Sequence, residues 1–211
     1  MQINSSNSQP QFSVLILAGG NSSRMKFPKP WLKIDTTTFL EKIISIYQDF
    51  GIQKIIVVIN QKFCVEPWKS KIKSLKKQVT IIENTAVEKG RLYSIQLGLQ
   101  HLADADFVFI QNIDSPFIDK KILKKLQHNR CENGVTVPTF NQKGGHPIII
   151  NRAIKEQIIN NFNSSSTLHD IINLFGRKNV EVENESILIN INTLEELEKL
   201  NLKSLTSNFK P

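Results

Sequence analysis

The stretch Phe12–Lys29, FSVLILAGGNSSRMKFPK, decides the reading of this 211-residue chain. Its apolar run FSVLILA has the length and character of a buried strand, and it stops at Gly19-Gly20. Asn21, Ser22, Ser23, Arg24, Lys26 and Lys29 follow. A strand that ends in glycines, hydroxyls and cations puts exposed amide hydrogens and positive charge where the chain turns. That combination builds a phosphate site. Glycine lets the backbone approach a ligand closely. Arg24 offers a planar fork for phosphate oxygens, and Lys29 a mobile point charge.

Outward from this stretch the chain alternates. Strands are predicted at Phe12–Ala18, Lys54–Ile59, Val79–Glu83 and Phe107–Gln111. Helices are predicted at Thr38–Phe50, Pro67–Lys77, Lys89–Leu102 and Lys120–Gln127. Uninterrupted apolar strands separated by amphipathic helices predict an α/β fold: a three-layer α-β-α sandwich with a Rossmann-like, mostly parallel sheet. After Asn133-Gly134 the pattern changes. Val135–Phe140 and Pro147–Ile150 read as strands around a polar stretch, a hairpin or long loop inserted over about 135–150. Helices at Arg152–Asn160 and Thr167–Leu174 follow, then strands at Asn179–Val182 and Ser186–Ile191. Asn192 opens a last helix with Glu195 as its capping-box partner. The whole chain reads as one domain, with its core over about 12–202 and a frayed tail after Leu205.

Composition narrows the function classes. Twenty-seven basic against nineteen acidic residues give +8, which favours an anionic partner: nucleic acid, a membrane surface or a phosphorylated small molecule. Lys69, Lys71, Lys73, Lys76 and Lys77 form one cluster, and Lys120, Lys121, Lys124 and Lys125 a second. No aromatic residues are interleaved with them as a stacking surface for nucleic acid would require, so both read as solvated helix faces. No apolar run reaches membrane-spanning length. The polar N-terminus MQINSSNSQPQ does not read as a signal peptide. Cys64 and Cys131 lack metal spacing and suit a reducing compartment, so a cytoplasmic protein is expected.

The glycines match neither GxGxxG nor GxxxxGK[ST], which argues against a dinucleotide fold and a P-loop NTPase. LAGGNSSRMKFPK instead resembles the L-A-[AG]-G-x-S-x-R-M-G-x-x-K signature of the MobA-like and MocA-like nucleotidyltransferases. This family includes the molybdenum-cofactor cytidylyltransferases and guanylyltransferases, and is related to the methylerythritol-phosphate and sugar-phosphate enzymes. Lys26 stands where the family has glycine. Further matches are Gly90-Arg91-Leu92-Tyr93-Ser94-Ile95, the D-x-P element Asp114-Ser115-Pro116, and Gly144-Gly145-His146-Pro147, similar to the G-H-P of the cytidylyltransferase branch.

The resemblance implies a sheet of the nucleotide-diphospho-sugar transferase type and transfer of an NMP, CMP rather than GMP, from an NTP to a phosphorylated acceptor. Molybdopterin is the default acceptor; a sugar phosphate or another alcohol phosphate is the alternative. It assigns the nucleotide to Leu17, Ala18, Gly19, Gly20, Ser22, Arg24, Lys29, Arg91 and Ser94. It assigns the acceptor to Gly145, His146 and Pro147, and catalysis to Arg24, Lys29 and Asp114. Mg²⁺ is the implied cofactor, held by Asp114 and by Asn190, which replaces the first aspartate of the family's D-[IV]-D-T-P-E-D. A neutral carbonyl there is a weaker ligand for a hard cation, so a nucleotide-binding protein with impaired catalysis is the competing class. Either a monomer or a homodimer is compatible.

Overall fold

A computed structural model describes residues 9–34, 36–161 and 165–199. The strands are β1 (Phe12–Ala18), β2 (Lys33–Ile34), β3 (Thr37–Thr38), β4 (Ile55–Asn60), β5 (Thr80–Asn84), β6 (Phe107–Asn112), β7 (Gly134–Phe140), β8 (Lys143–Gly144), β9 (Ile148–Asn151) and β10 (Gly176–Glu181). The helices are α1 (Phe39–Asp49), α2 (Lys69–Leu75), α3 (Gly90–Leu99), α4 (Lys120–His128), α5 (Arg152–Asn160) and α6 (Leu168–Ile172). A further helical segment covers 194–199. The predicted tail after Leu205 lies outside the described residues.

The main sheet runs β10-β7-β9-β6-β1-β4-β5, with β8 paired to β7. β1 pairs in parallel with both β4 and β6, β4 with β5, and β7 with β10. β9 runs antiparallel between β6 and β7. The sheet is therefore mostly parallel and Rossmann-like, as expected. The segment after Asn133-Gly134 does more than decorate it: β9 joins the parallel block to the β7–β10 pair.

Alternation along β1 divides the core. Val14, Ile16 and Ala18 face the side covered by α1, α2 and α4, whereas Leu15 and Leu17 face α3, α5 and α6. Both faces of β1 are buried, which is why its sequence is apolar throughout. Helix starts are fixed locally. Thr38 and Glu41 form a capping box on α1, Thr167 and Asp170 another on α6, and Asp119 and Asn151 cap α4 and α5. Each such cap satisfies amide donors that the first turn leaves free. Ile122, Leu123 and Leu126 of α4 are buried while Lys120, Lys121, Lys124 and Lys125 are exposed, the solvated face expected of that cluster. No helix among the described residues is long and apolar enough to cross a membrane.

Two expectations near the C-terminus are corrected. Ser186–Ile191 is not a strand. Asn184 accepts a hydrogen bond from the Ser186 amide and starts a single 3₁₀ turn over Glu185–Leu188. The apolar spacing is still used, because Ile187 and Ile191 are buried. Their backbone groups are spent on loops rather than on a ladder: Ile187 accepts from the His146 amide, and Ile191 donates to the Asp114 carbonyl. The last helix is capped by Thr193 and Glu196, whose groups bond reciprocally, not by Asn192 and Glu195. Glu195 instead pairs with Lys199 at 2.7 Å. The shift by one residue frees the Asn192 side chain for other contacts.

Candidate active site at the C-terminal edge of the sheet

A cleft of about 270 Å³ lies where β1, β5 and β6 end. Leu17, Ala18, Gly19, Gly20, Ser22, Lys29, Arg91, Ser94 and Asp114 all line it. Open parallel sheets bind ligands at this edge, outside the carboxyl ends of their strands. Val87, Gly90, Asn112 and Ile113 complete the wall. None of these four was given a role from the sequence, although Gly90 opens one of the quoted motifs. Asn112 does share one legible signal with Asn60 and Asn84: β4, β5 and β6 each end in asparagine.

The loop after β1 is held from behind. Met25 is buried, Asn21 accepts from Asn60 and Lys62, and the Ser22 hydroxyl accepts from the Lys29 amide at 3.1 Å. Ser22 and Lys26 take left-handed φ values of 52° and 53°, where an L side chain is disfavoured. The usual glycine at position 26 therefore has a physical reason, and the turn keeps its left-handed shape with lysine in its place. Gly19 is buried, and a Cβ there would lie 2.8 Å from the Ser94 Oγ. Only glycine fits without displacing that hydroxyl.

Four side chains meet beside the cleft, Lys29 and Asp114 on its wall and Arg24 and Asn192 behind them. The Lys29 Nζ lies 2.8 Å from the Asn192 Oδ1 and 3.4 Å from the Asp114 Oδ2. The Arg24 Nη2 donates to the same Asn192 oxygen at 3.2 Å. Asp114 hangs from a loop set by Gln111, which is fully buried, accepts from the Tyr47 hydroxyl and donates to the Asn112 and Ser115 carbonyls. The second Asp114 oxygen, Oδ1, is buried without a hydrogen-bond partner. Asn190, expected beside Asp114, directs its carbonyl elsewhere: it accepts from the Ser115 hydroxyl at 2.6 Å, and its amide donates to Leu188. The residue that reaches the cluster is Asn192, which the sequence reading had assigned to a helix cap.

Arg91 donates to the Asn112 Oδ1 at 2.9 Å and lies on the rim of the cleft. His146 does not line the same wall, but it feels the charges of both Arg91 and Asp114. Burial first, and the nearby Arg91 charge second, lower its pKa to about 4 against the opposing pull of Asp114. The imidazole is therefore neutral near pH 7, with Nδ1 buried and unpartnered. Gly145 packs against Ile187, where an added Cβ would meet the carbonyl oxygen at 2.4 Å. Pro147 follows through a cis peptide bond and leads directly into β9. Among the described residues no group of three or more His, Cys, Asp or Glu side chains could hold a metal ion.

The MobA-like NTP transferase domain pattern matches residues 14–180, from β1 into β10. The chain belongs to that family. It is 30% identical over 132 residues to a probable molybdenum cofactor guanylyltransferase from Clostridium perfringens strain ATCC 13124, covering 62% of this chain and 61% of that protein. It is 32% identical over 121 residues to the 2-C-methyl-D-erythritol 4-phosphate cytidylyltransferase of Wigglesworthia glossinidia brevipalpis, covering 56% and 50%. The chain thus spans half to three fifths of the length of these curated relatives. In fold it is similar to a nucleotidyl transferase from Methanothermobacter thermautotroptrophicus, with a TM-score of 0.73 at 17% identity over 93% of this chain and 99% of that one. For a MobA-like family member, the cleft coincides with the segment that carries the signature.

Proposed function

We propose that this protein is a nucleotidyltransferase that moves an NMP, with CMP favoured, from an NTP to a phosphorylated acceptor. The observation that carries this reading is the convergence of Lys29, Arg24 and Asp114 beside a cleft that Gly19, Gly20 and Ser94 also line. A phosphate oxygen of the acceptor attacks the α-phosphorus of the NTP. A new P–O bond forms there, the bond to the β-phosphate oxygen breaks, and pyrophosphate leaves with its electron pair. A phosphate nucleophile is already ionised at neutral pH, so this chain needs no strong general base. Its work is positioning and charge neutralisation. Lys29 and Arg24 neutralise the triphosphate, and the amides around Gly19 and Gly20 approach its oxygens.

The unpartnered Asp114 Oδ1 fits an additional cation. Mg²⁺ takes oxygen ligands and is commonly held by one or two carboxylates together with substrate phosphates. Asp114 would be its carboxylate, with Asn192 the neighbouring neutral oxygen. When bound, such an ion supplies charge neutralisation on the phosphoryl oxygens.

CMP is favoured on the Gly145-His146-Pro147 element; the guanylyltransferases among the relatives make GMP the competing assignment. Molybdopterin is the first acceptor to test, with methylerythritol and sugar phosphates next. Pyrophosphate release from each NTP with each acceptor, with and without Mg²⁺, tests the proposal. Turnover with one pair is expected. Silence from every pair at enzyme concentrations near those of substrate would sink it.

A second reading, a nucleotide-binding protein with impaired catalysis, is favoured by one observation. Positions 190 and 192 are both asparagine, which leaves Asp114 as the carboxylate facing Lys29. If Asn192→Asp or Asn190→Asp created turnover absent from the parent, this second reading would stand.

A further inference from the structure

The glycine turn after β1 is tied from behind to the end of β4. The two strands are parallel neighbours with Ala18 beside Ile59, so the residues that follow them meet. Asn60 is almost completely buried, and both ends of its amide are engaged. Its Oδ1 accepts from the Lys62 backbone N–H at 3.1 Å, and its Nδ2 donates to the Asn21 Oδ1 at 3.2 Å. A backbone N–H can only donate, so it fixes which end of the Asn60 amide is oxygen. The Lys62 Nζ then donates to the Asn21 carbonyl and to the Asn21 Oδ1, both at 3.0 Å. It also lies 5.0 Å from the centre of the Phe63 ring. No carboxylate is among these contacts of Lys62.

Asn21 is placed to pass this grip on. Gly20 and Ser22, on either side of it, line the cleft, and Asn21 does not. It faces a second cavity of about 230 Å³ behind the turn, which Ser22, Lys26, Lys62 and Phe63 also line. The far end of the segment returns to the same place. Two residues beyond Lys29, the Trp31 indole N–H donates to the Phe63 carbonyl at 3.1 Å. One short 3₁₀ turn, Gln61–Phe63, thus holds both ends of the segment that carries Ser22, Arg24 and Lys29. A turn already held in its bound shape loses less freedom when a ligand arrives, and binds it more tightly for that reason.

We propose that Lys62, set by Asn60, is a positioning residue for triphosphate binding: it holds Asn21, and through Asn21 the turn whose other face meets the phosphates. Lys62 itself stays behind the turn and touches neither nucleotide nor acceptor. The inference rests on the nucleotidyltransferase reading above and deepens it.

The test is calorimetric binding of inorganic tripolyphosphate and of CTP to the full chain in Mg²⁺, with thermal unfolding as the control for folding. Lys62→Met should weaken both ligands by about tenfold, the loss expected when a charge-assisted hydrogen-bonded anchor is removed. The factor should be the same for both, because the turn meets phosphate and not base, and the melting temperature should stay within a few degrees of the parent. Asn21→Ala removes the accepting side chain without altering charge and should cost a similar factor. The double variant should lose well short of about a hundredfold, since both substitutions release the same anchor. Lys62→Arg, whose planar fork reaches two oxygens, should keep affinity within about threefold of the parent. Amide hydrogen exchange over Gly20–Arg24 should quicken in Lys62→Met. Loss of a bare charge would not produce that change, and it supplies the answer if Asn21→Ala fails to fold.

Unchanged affinity in Lys62→Met would overturn the inference while leaving the transferase reading intact. So would losses that multiply in the double variant, exchange that stays as slow as in the parent, or weakening of CTP alone. Failure of the parent to bind either ligand would overturn both.

Discussion

Lys155 and Lys29 both carry their ammonium groups out of bulk water, Lys155 at 1% exposure and Lys29 at 12% for its side chain. Lys155 donates to three carbonyls, those of Leu102, Ala103 and Ala105, at 3.0, 2.6 and 2.6 Å. An ammonium group has three hydrogens to give, so Lys155 is saturated. It ties α5 to the loop that follows α3. Lys29 has one short contact, to the Asn192 amide oxygen, and a longer one to Asp114. Its charge is only partly matched, and it opens on the cleft. Saturation, more than burial, separates the structural lysine from the one that opens on the cleft. Asp114 and His146 fall on the same side as Lys29, each with a buried atom that has no partner.

The comparison makes predictions that differ in what they change. Lys29→Ala should lower kcat by about 10²–10³-fold, since it removes one preorganised charge from the reacting phosphates. Its melting temperature should stay within a few degrees of the parent, and a large loss of stability would place Lys29 with Lys155. His146 should make folding pH-sensitive. Its pKa is about 4 when folded and about 6.5 in an unfolded chain. A depressed histidine favours the folded state only while it is neutral, so stability is present above pH 6.5 and falls as pH drops toward 4. The loss approaches about 3 kcal/mol below both values. Urea unfolding from pH 7 to pH 4 should show it, and His146→Gln should flatten that part of the profile.

Lys155→Met should cost about 2–3 kcal/mol, because three carbonyls lose their donor. The folded fraction should keep its kcat; a selective loss of kcat with unchanged stability would break the comparison. Lys26→Gly should stabilise by about 1 kcal/mol through relief of the left-handed φ, measured as a shift in denaturation midpoint without a change in nucleotide affinity. Asn190→Asp should have the smallest effect, less than threefold on kcat, because an aspartate there can still accept from Ser115. Asn192→Asp should act more strongly, on metal dependence first.

The loop after β1 was legible because its chemistry is local. Gly19, Gly20, Arg24 and Lys29 follow one strand within twelve residues, and the strand end supplies their placement. Asp114 and Ser94 were legible as parts of short motifs attached to the neighbouring β6 and α3. Asn192 was misassigned because its segment reads equally well as a helix cap. Only the contact of Ile191 with the Asp114 loop brings its side chain to Lys29. Asn60 gave no signal beyond ending an apolar strand. Lys155 gave a misleading one, since a lysine in an amphipathic helix ordinarily points to water.

By itself, then, the sequence determined the alternation of buried strands and amphipathic helices, the mostly parallel sheet that follows from it, and the sheet edge at which the candidate cleft lies. Hydrophobic periodicity and turn chemistry are properties of neighbouring residues, so they survive without coordinates. Tertiary structure alone decided which asparagine joins Lys29 and which lysine is saturated. Those outcomes depend on hydrogen-bond partners tens to more than a hundred residues away, and a donor's state is fixed only when every partner is in place.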